Sequence, residues 1–213
     1  MVWGSALAAG ADAYRRFGAG HRAQTAALVA ARRIVESFRA QNGAVDCFDL
    51  TDTDFGSKAQ MWKYLLSGKP IGCFRMAARY APVAFAEIRA TPGAEQADAP
   101  PGPVSCSALT ASKLGASEQH AVMAAGFAGG VGLSGGACGA LGAAIWLDAM
   151  GAAGDYRARE RRAARIVERF LEASGHAFEC SEIVGREFAD VADHAAHLRG
   201  GGCAKVLEAL SSG

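Results

Sequence analysis

Residues 121–147 read AVMAAGFAGGVGLSGGACGALGAAIWL, with eight glycines, one cysteine (Cys138) and no Asp, Glu, Lys or Arg. Each glycine costs a helix interior about 1 kcal/mol relative to alanine. The stretch therefore reads as two buried, Ala-rich helical pieces joined by a tight turn over residues 129–136. That turn delivers Cys138 to the start of the second piece. A helix start carries unpaired N–H groups and a partial positive charge, which favour a thiolate or an anionic cluster. The stretch is long enough to cross a bilayer. Its GGVGLSGG centre and its lack of bulky aliphatics point instead to a buried element, so no membrane span is expected.

Around this element the chain reads as all-α. Apolar residues recur at helical spacing over residues 24–40 (Leu28, Ala31, Ile34, Val35, Phe38) and 156–173 (Ile166, Val167, Phe170). Helices are also expected over 1–18, 62–66, from Gly72-Cys73 to about Ile88 with a kink or break at Pro82, and over 106–114, 118–127, 187–198 and 204–210. Residues 90–103, ATPGAEQADAPPGP, hold four of the six prolines and read as a linker. They separate residues 1–89 from a second unit, 104–213. Lys plus Arg is 22 against 21 for Asp plus Glu, which argues against nucleic acid as a partner. The N-terminal MVWGSALAAGADAYRR lacks a basic segment before its apolar run, so it is a poor signal peptide and the cytoplasm is the expected compartment.

Two segments are alike. ARRIVESFRAQNGAVDCFDL (31–50) aligns with AARIVERFLEASGHAFECSEI (163–183), which pairs Cys47 with Cys180; Gly72-Cys73 then aligns with Gly202-Cys203. A looser match upstream puts Trp3 where Cys138 sits. The chain reads as a helical bundle built from a degenerate internal duplication. The first copy starts mid-unit, having decayed or being cut from a longer protein. The missing half-unit should leave apolar helix faces for a second chain to cover, hence an expected homodimer.

The second copy carries Cys106, Cys138, Cys180 and Cys203, each beside an expected helix start, loop or Gly-rich segment. Four convergent thiolates suit an iron–sulfur cluster or zinc, and two close thiols suit a redox disulfide. The alternatives are inert buried cysteines in a structural or binding protein, or a thiol-dependent enzyme with one unusually reactive cysteine. Cys47 and Cys73 are candidates for a secondary redox pair.

The order of these cysteines, with Ser105-Cys106-Ser107-Ala108, residues 125–132 (AGFAGGVG), Gly142 four residues after Cys138, and Arg165 to Phe170, resembles the redox-active family named for its pattern, C_GCAxxG_C_C. The resemblance covers 104–210, about half the chain. It departs at Ala137 and Gly139, where the pattern has glycine and alanine; Ala137 would be strained if that position needs a positive φ. The family is similar to the C-terminal part of split-Soret cytochromes c. That similarity implies an all-α fold and a [2Fe–2S] or related cluster; with the cysteine pattern it leads to the expectation that Cys106, Cys138, Cys180 and Cys203 hold the cluster and pass electrons to a redox protein partner. No CxxCH occurs, so covalent haem is not expected. His194 and His197, three apart on one helix face, could ligate metal or carry protons, or face solvent. His176 is a weaker candidate. Trp62 and Trp146 read as core residues, and residues 157–165 (RARERRAAR) as a solvated helix face. No P-loop, serine-hydrolase motif or HExxH occurs.

Overall fold

A computed structural model describes residues 1–90, 100–151 and 156–212. Most of the expected linker lies outside the described residues. The fold is all-α: among the described residues the only β pairing is an isolated antiparallel bridge, Ala137 to Glu179. Among the described residues no helix is long and apolar enough to cross a membrane.

The first two helices, α1 (Val2–Phe17) and α2 (His21–Asn42), form a hairpin across Gly18 and Gly20. Both present small residues to the core: Ala6, Ala9 and Ala13 on α1, and Ala23, Ala27, Ala30 and Ala31 on α2. Small faces let backbones approach closely. At Gly10 an added Cβ would lie 2.5 Å from the Met123 Cα, so α1 rests against the backbone of a later helix. Gly43 ends α2 in the left-handed conformation, as the Asn-Gly signal implies. Three more helices complete this part: α3 (Cys47–Thr51), α4 (Lys58–Leu66) and α5 (Lys69–Arg89). Helix α5 starts three residues before Gly72, with Pro70 in its first turn. It runs through Pro82 without ending. The carbonyl that Pro82 leaves without a donor is that of Ala78, on the exposed side of the helix.

Past the proline-rich segment come α6 (Cys106–Lys113), α7 (Glu118–Ala124) and a 3-10 turn (Ala125–Phe127). Ser105 and Ser117 cap α6 and α7 through their side chains. Then follow α8 (Gly139–Gly151), α9 (Tyr156–Ser174), α10 (Cys180–Val184), α11 (Val191–Arg199) and α12 (Ala204–Ser211). The helix expected over 187–198 begins only at Val191. Asp190 is in the extended conformation and its carboxylate accepts the Asp193 N–H, so the chain turns there instead of continuing from Glu187. One core joins both sides of the proline-rich segment: Ala6, Ala31, Ile34 and Phe38 pack with Ala121, Val122, Ala125 and Phe127. The Trp3 ring lies 4.6 Å from that of Phe127. A second cluster gathers Leu133, Leu141, Phe170, Leu198 and Leu207 around the cysteines.

Trp62 is not a core residue. It is 62% exposed, because no residue of α4 is buried. Trp146 is half-buried, edge-on to His120 and Phe127. The basic run on α9 is largely solvated, with Arg162 bonded to Asp148 at 2.8 Å.

Glycine is required at one helix start and dispensable in another helix. An added Cβ at Gly139 would sit 1.8 Å from the Phe127 carbonyl oxygen, whereas at Gly4 it would meet nothing within 4 Å. Gly139→Ala should therefore cost about 3 kcal/mol. Gly4→Ala should be neutral or stabilise by up to about 1 kcal/mol. Urea melts of the two variants check this pair; similar midpoints would contradict the packing described.

Candidate four-cysteine centre

The turn after Phe127 uses the left-handed conformation repeatedly: Gly129, Gly130, Val131, Gly132, Leu133 and Gly135 all have positive φ. At Gly130 a Cβ would lie 2.4 Å from the Gly136 amide, so the loop closes on itself only with glycine there. Val131 and Leu133 take the same conformation against their steric preference, and both are buried. The loop is self-stitched, Gly132 N–H to Gly126 O at 2.9 Å and Gly135 N–H to Gly129 O at 2.9 Å.

The end of this loop is bonded to the start of α10. Cys138 N–H donates to Phe178 O (3.1 Å), Cys180 N–H to Gly136 O (2.7 Å) and Ser181 N–H to Gly135 O (2.9 Å). Residues alternate sides along such a ladder. Ala137 and Glu179, the bridge pair, line a cavity of ≈ 380 Å³ on one side, together with Trp3, Arg39 and Cys47. Their neighbours Cys138 and Cys180 line the other side.

On that second side is a small enclosed cavity of ≈ 10 Å³, lined by Cys106, Cys138, Cys180, Cys203 and His194 among others. Each cysteine arrives on a different element. Cys106 is the first residue of α6, which is fixed to α7 by Ser107 Oγ donating to Ala124 O at 2.8 Å. Cys138 immediately precedes α8, and Cys180 opens α10. Cys203 caps α12 in the left-handed conformation, φ 61°. Cys106, Cys138 and Cys180 are buried and Cys203 is half-buried.

All four thiols are shifted upward. Burial dominates for Cys138, followed by the charge of Cys106; together they push it up to about 11, although N–H groups of Leu141 and Ala140 at the start of α8 pull the other way. The helix-start effect expected from the sequence is thus present and outweighed by desolvation. Burial and the charges of Cys106 and Cys138 push Cys203 up to about 12. Cys180 is raised further, by burial and then by the other three cysteines. Cys106 is raised by burial, with backbone N–H groups at Gly129 and Ser107 opposing.

Both histidines of α11 belong to this site. His194 is buried and lines the cavity, and its Nδ1 is 3.0 Å from the Val104 carbonyl. A carbonyl accepts, so Nδ1 carries the proton and Nε2 the lone pair. The same bond ties α11 to the segment that leads into Cys106. His197 Nε2 lies 3.6 Å from Cys203 Sγ, and a Cβ on Gly202 would strike that ring at 2.1 Å. Phe188 packs edge-on to His194 (4.7 Å) and tilted to His197 (5.3 Å). The i, i+3 spacing placed the two histidines on one face; what it lacked was the apolar shell that turns this face inward. His176, in the left-handed conformation after α9, does not line the cavity.

Cys47 and Cys73 are not at this centre. Cys47 is exposed at the start of α3, and Cys73 is half-buried on α5, where its sulfur accepts the Tyr64 O–H at 3.2 Å.

A family model described as "Putative redox-active protein (C_GCAxxG_C_C)" matches residues 104–211. The chain belongs to this family. No curated protein and no solved structure matches it. Four cysteines, as many as the family's name carries, fall within the matched residues and line the cavity, and the structure explains both residues beside Cys138 that depart from the resemblance. Ala137 does not take a positive φ, so glycine is not needed there. Gly139 is pressed against the Phe127 carbonyl, so alanine does not fit.

In the metal-free protein Cys138 should be alkylated by iodoacetamide at least about tenfold more slowly than Cys47 at pH 8, its rate still rising towards pH 11. The sign for stability follows: the unfolded thiols ionise near pH 8.5 and the folded ones later. The folded metal-free protein should hold its full stability below pH 8.5 and lose it as pH rises towards 11. Residue-resolved mass spectrometry and melts across that range check both. Equal labelling of the two cysteines would contradict the burial.

Proposed function

We propose that residues 104–211 hold a redox centre in which Cys106, Cys138, Cys180 and Cys203 bind an iron–sulfur cluster of the [2Fe–2S] or a related kind and exchange electrons with a protein partner. One observation carries this reading: four thiols from four separate elements line one small, enclosed cavity. The donor set fits the group, since thiolates are the usual cluster ligands. The upward shifts fit as well. Neighbouring thiols that stay protonated in an apolar site at neutral pH give up their protons when a strongly cationic partner binds them. When bound, a cluster would supply one-electron transfer without displacement of atoms. The chain's own part is to hold the sulfurs on rigid backbone, to exclude water, and to fix the Cys106 segment through His194 and Val104.

A second reading has its own observation. Among the described residues, no three His, Cys, Asp or Glu side chains stand close enough to grip a metal ion without moving. The bare chain thus presents thiols, and a thiol–disulfide couple within the same four is the alternative route. A zinc site in a structural or binding protein is the third reading. Cys47 and Cys73, which share Tyr64 as a neighbour, are proposed as a separate auxiliary thiol pair. Free buried thiols go with a reducing compartment such as the cytoplasm.

Purification without oxygen, followed by iron, sulfide and zinc analysis and a visible spectrum, tests the proposal. Iron and sulfide in near-equal amounts, lost in Cys138→Ala, are expected. A colourless protein after anaerobic reconstitution would overturn the cluster; stoichiometric zinc would favour the structural reading, and a mapped disulfide after mild oxidation the thiol couple.

A further inference from the structure

The part of the chain from α3 to α5 carries an apolar surface that no described residue covers. No residue of α3 or α4 is buried. A nine-residue helix is too short to be stable in water without packing, yet the apolar side of α4 (Met61, Trp62, Leu65, Leu66) faces outward, with Leu66 83% exposed. Helix α5 is apolar on two opposite sides. One side, with Tyr80, Ala84 and Ile88, is buried and packs towards α2, where the Tyr80 hydroxyl meets Ser37 at 2.8 Å. On the other, Ile71, Phe74, Ala78, Pro82 and Phe85 fall within one narrow arc at 100° per residue, and all are exposed. Phe48 and Phe55 add to the same segment, at 58% and 44% exposure.

We propose that this surface is the contact between two copies of this chain, with the exposed sides of α4 and α5 of one protomer packed on those of its partner. Two arguments select a second copy. The first is area. The exposed large side chains of residues 48–85 present on the order of 1,000 Å² of apolar surface. That is enough to supply the roughly 800 Å² per partner of a stable complex. The second is charge. The acids of this segment lie at its start (Asp46, Asp49, Asp52, Asp54) and the bases follow on α4 and α5 (Lys58, Lys63, Lys69, Arg75, Arg79). With four acids and five bases over residues 46–85 the segment is close to neutral, so a second copy meets no net repulsion. A surface suited to anionic lipid would carry the bases without the acids.

Sedimentation equilibrium and light scattering of the purified full chain, from about 1 to 50 µM, test this. The expected result is a dimer whose dissociation constant rises at least 100-fold in Leu66→Glu/Phe74→Glu, with an unchanged helical circular dichroism spectrum. Both positions are exposed, so the double variant leaves the core intact. The exposed apolar-to-acidic change Met150→Glu, on α8, should leave the dimer unaffected. A monomer at 50 µM would overturn the proposal, as would a dimer that survives the double variant. Monomer that instead sediments with vesicles of phosphatidylcholine and phosphatidylglycerol would assign the face to a membrane surface. The outcome is independent of what the cysteines bind.

Discussion

Three short backbone hydrogen bonds between the end of the Gly-rich loop and the start of α10 bring the site together. They set Cys138 and Cys180 on one side of the Ala137–Glu179 bridge. Without them these cysteines, more than forty residues apart in the chain, would have no reason to meet. The loop reaches that position because glycine takes left-handed conformations and tolerates close backbone approach at Gly130 and Gly139. Val131 and Leu133 adopt the same conformation at a cost of about 1–3 kcal/mol each. Burial of both side chains offsets part of that.

The cysteine cavity sets burial against the field at a helix start. The N–H groups that open α8 favour a thiolate at Cys138, but desolvation and neighbouring sulfurs prevail. An isolated nucleophilic cysteine would need the opposite balance. The α11 histidines extend this environment: His194 is held by Val104, and His197 sits beside Cys203 because Gly202 leaves room.

Much of this was legible in the chain. Alternating Ala and Gly spelled close-packed helices, Ser105 and Ser117 marked two helix starts, and the cysteines singled out from the second half are the ones that line the cavity. What escaped notice was tertiary. The bridge at Ala137 and the one-turn helix α10 have no periodic signal. The inward face of α11 depends on Phe188, nine residues before His197. Trp62 reads as core from its size, yet no residue of α4 is buried. The common core of residues 1–89 and 104–213 was likewise hidden, since small residues on α1 and α7 give no sign of which helices they join.

The convergence of the four sulfurs is the central claim, and it can be tested apart from any native cofactor. Titration of the reduced, metal-free protein with cadmium, followed by thiolate-to-metal charge-transfer absorption, reads it directly. The account predicts one tightly held ion per chain at the four-cysteine centre, with the signal diminished by a similar degree in each of the four single Cys→Ser variants. A signal indifferent to the loss of Cys106 or Cys203, or one that depends on Cys47 and Cys73 instead, would contradict it.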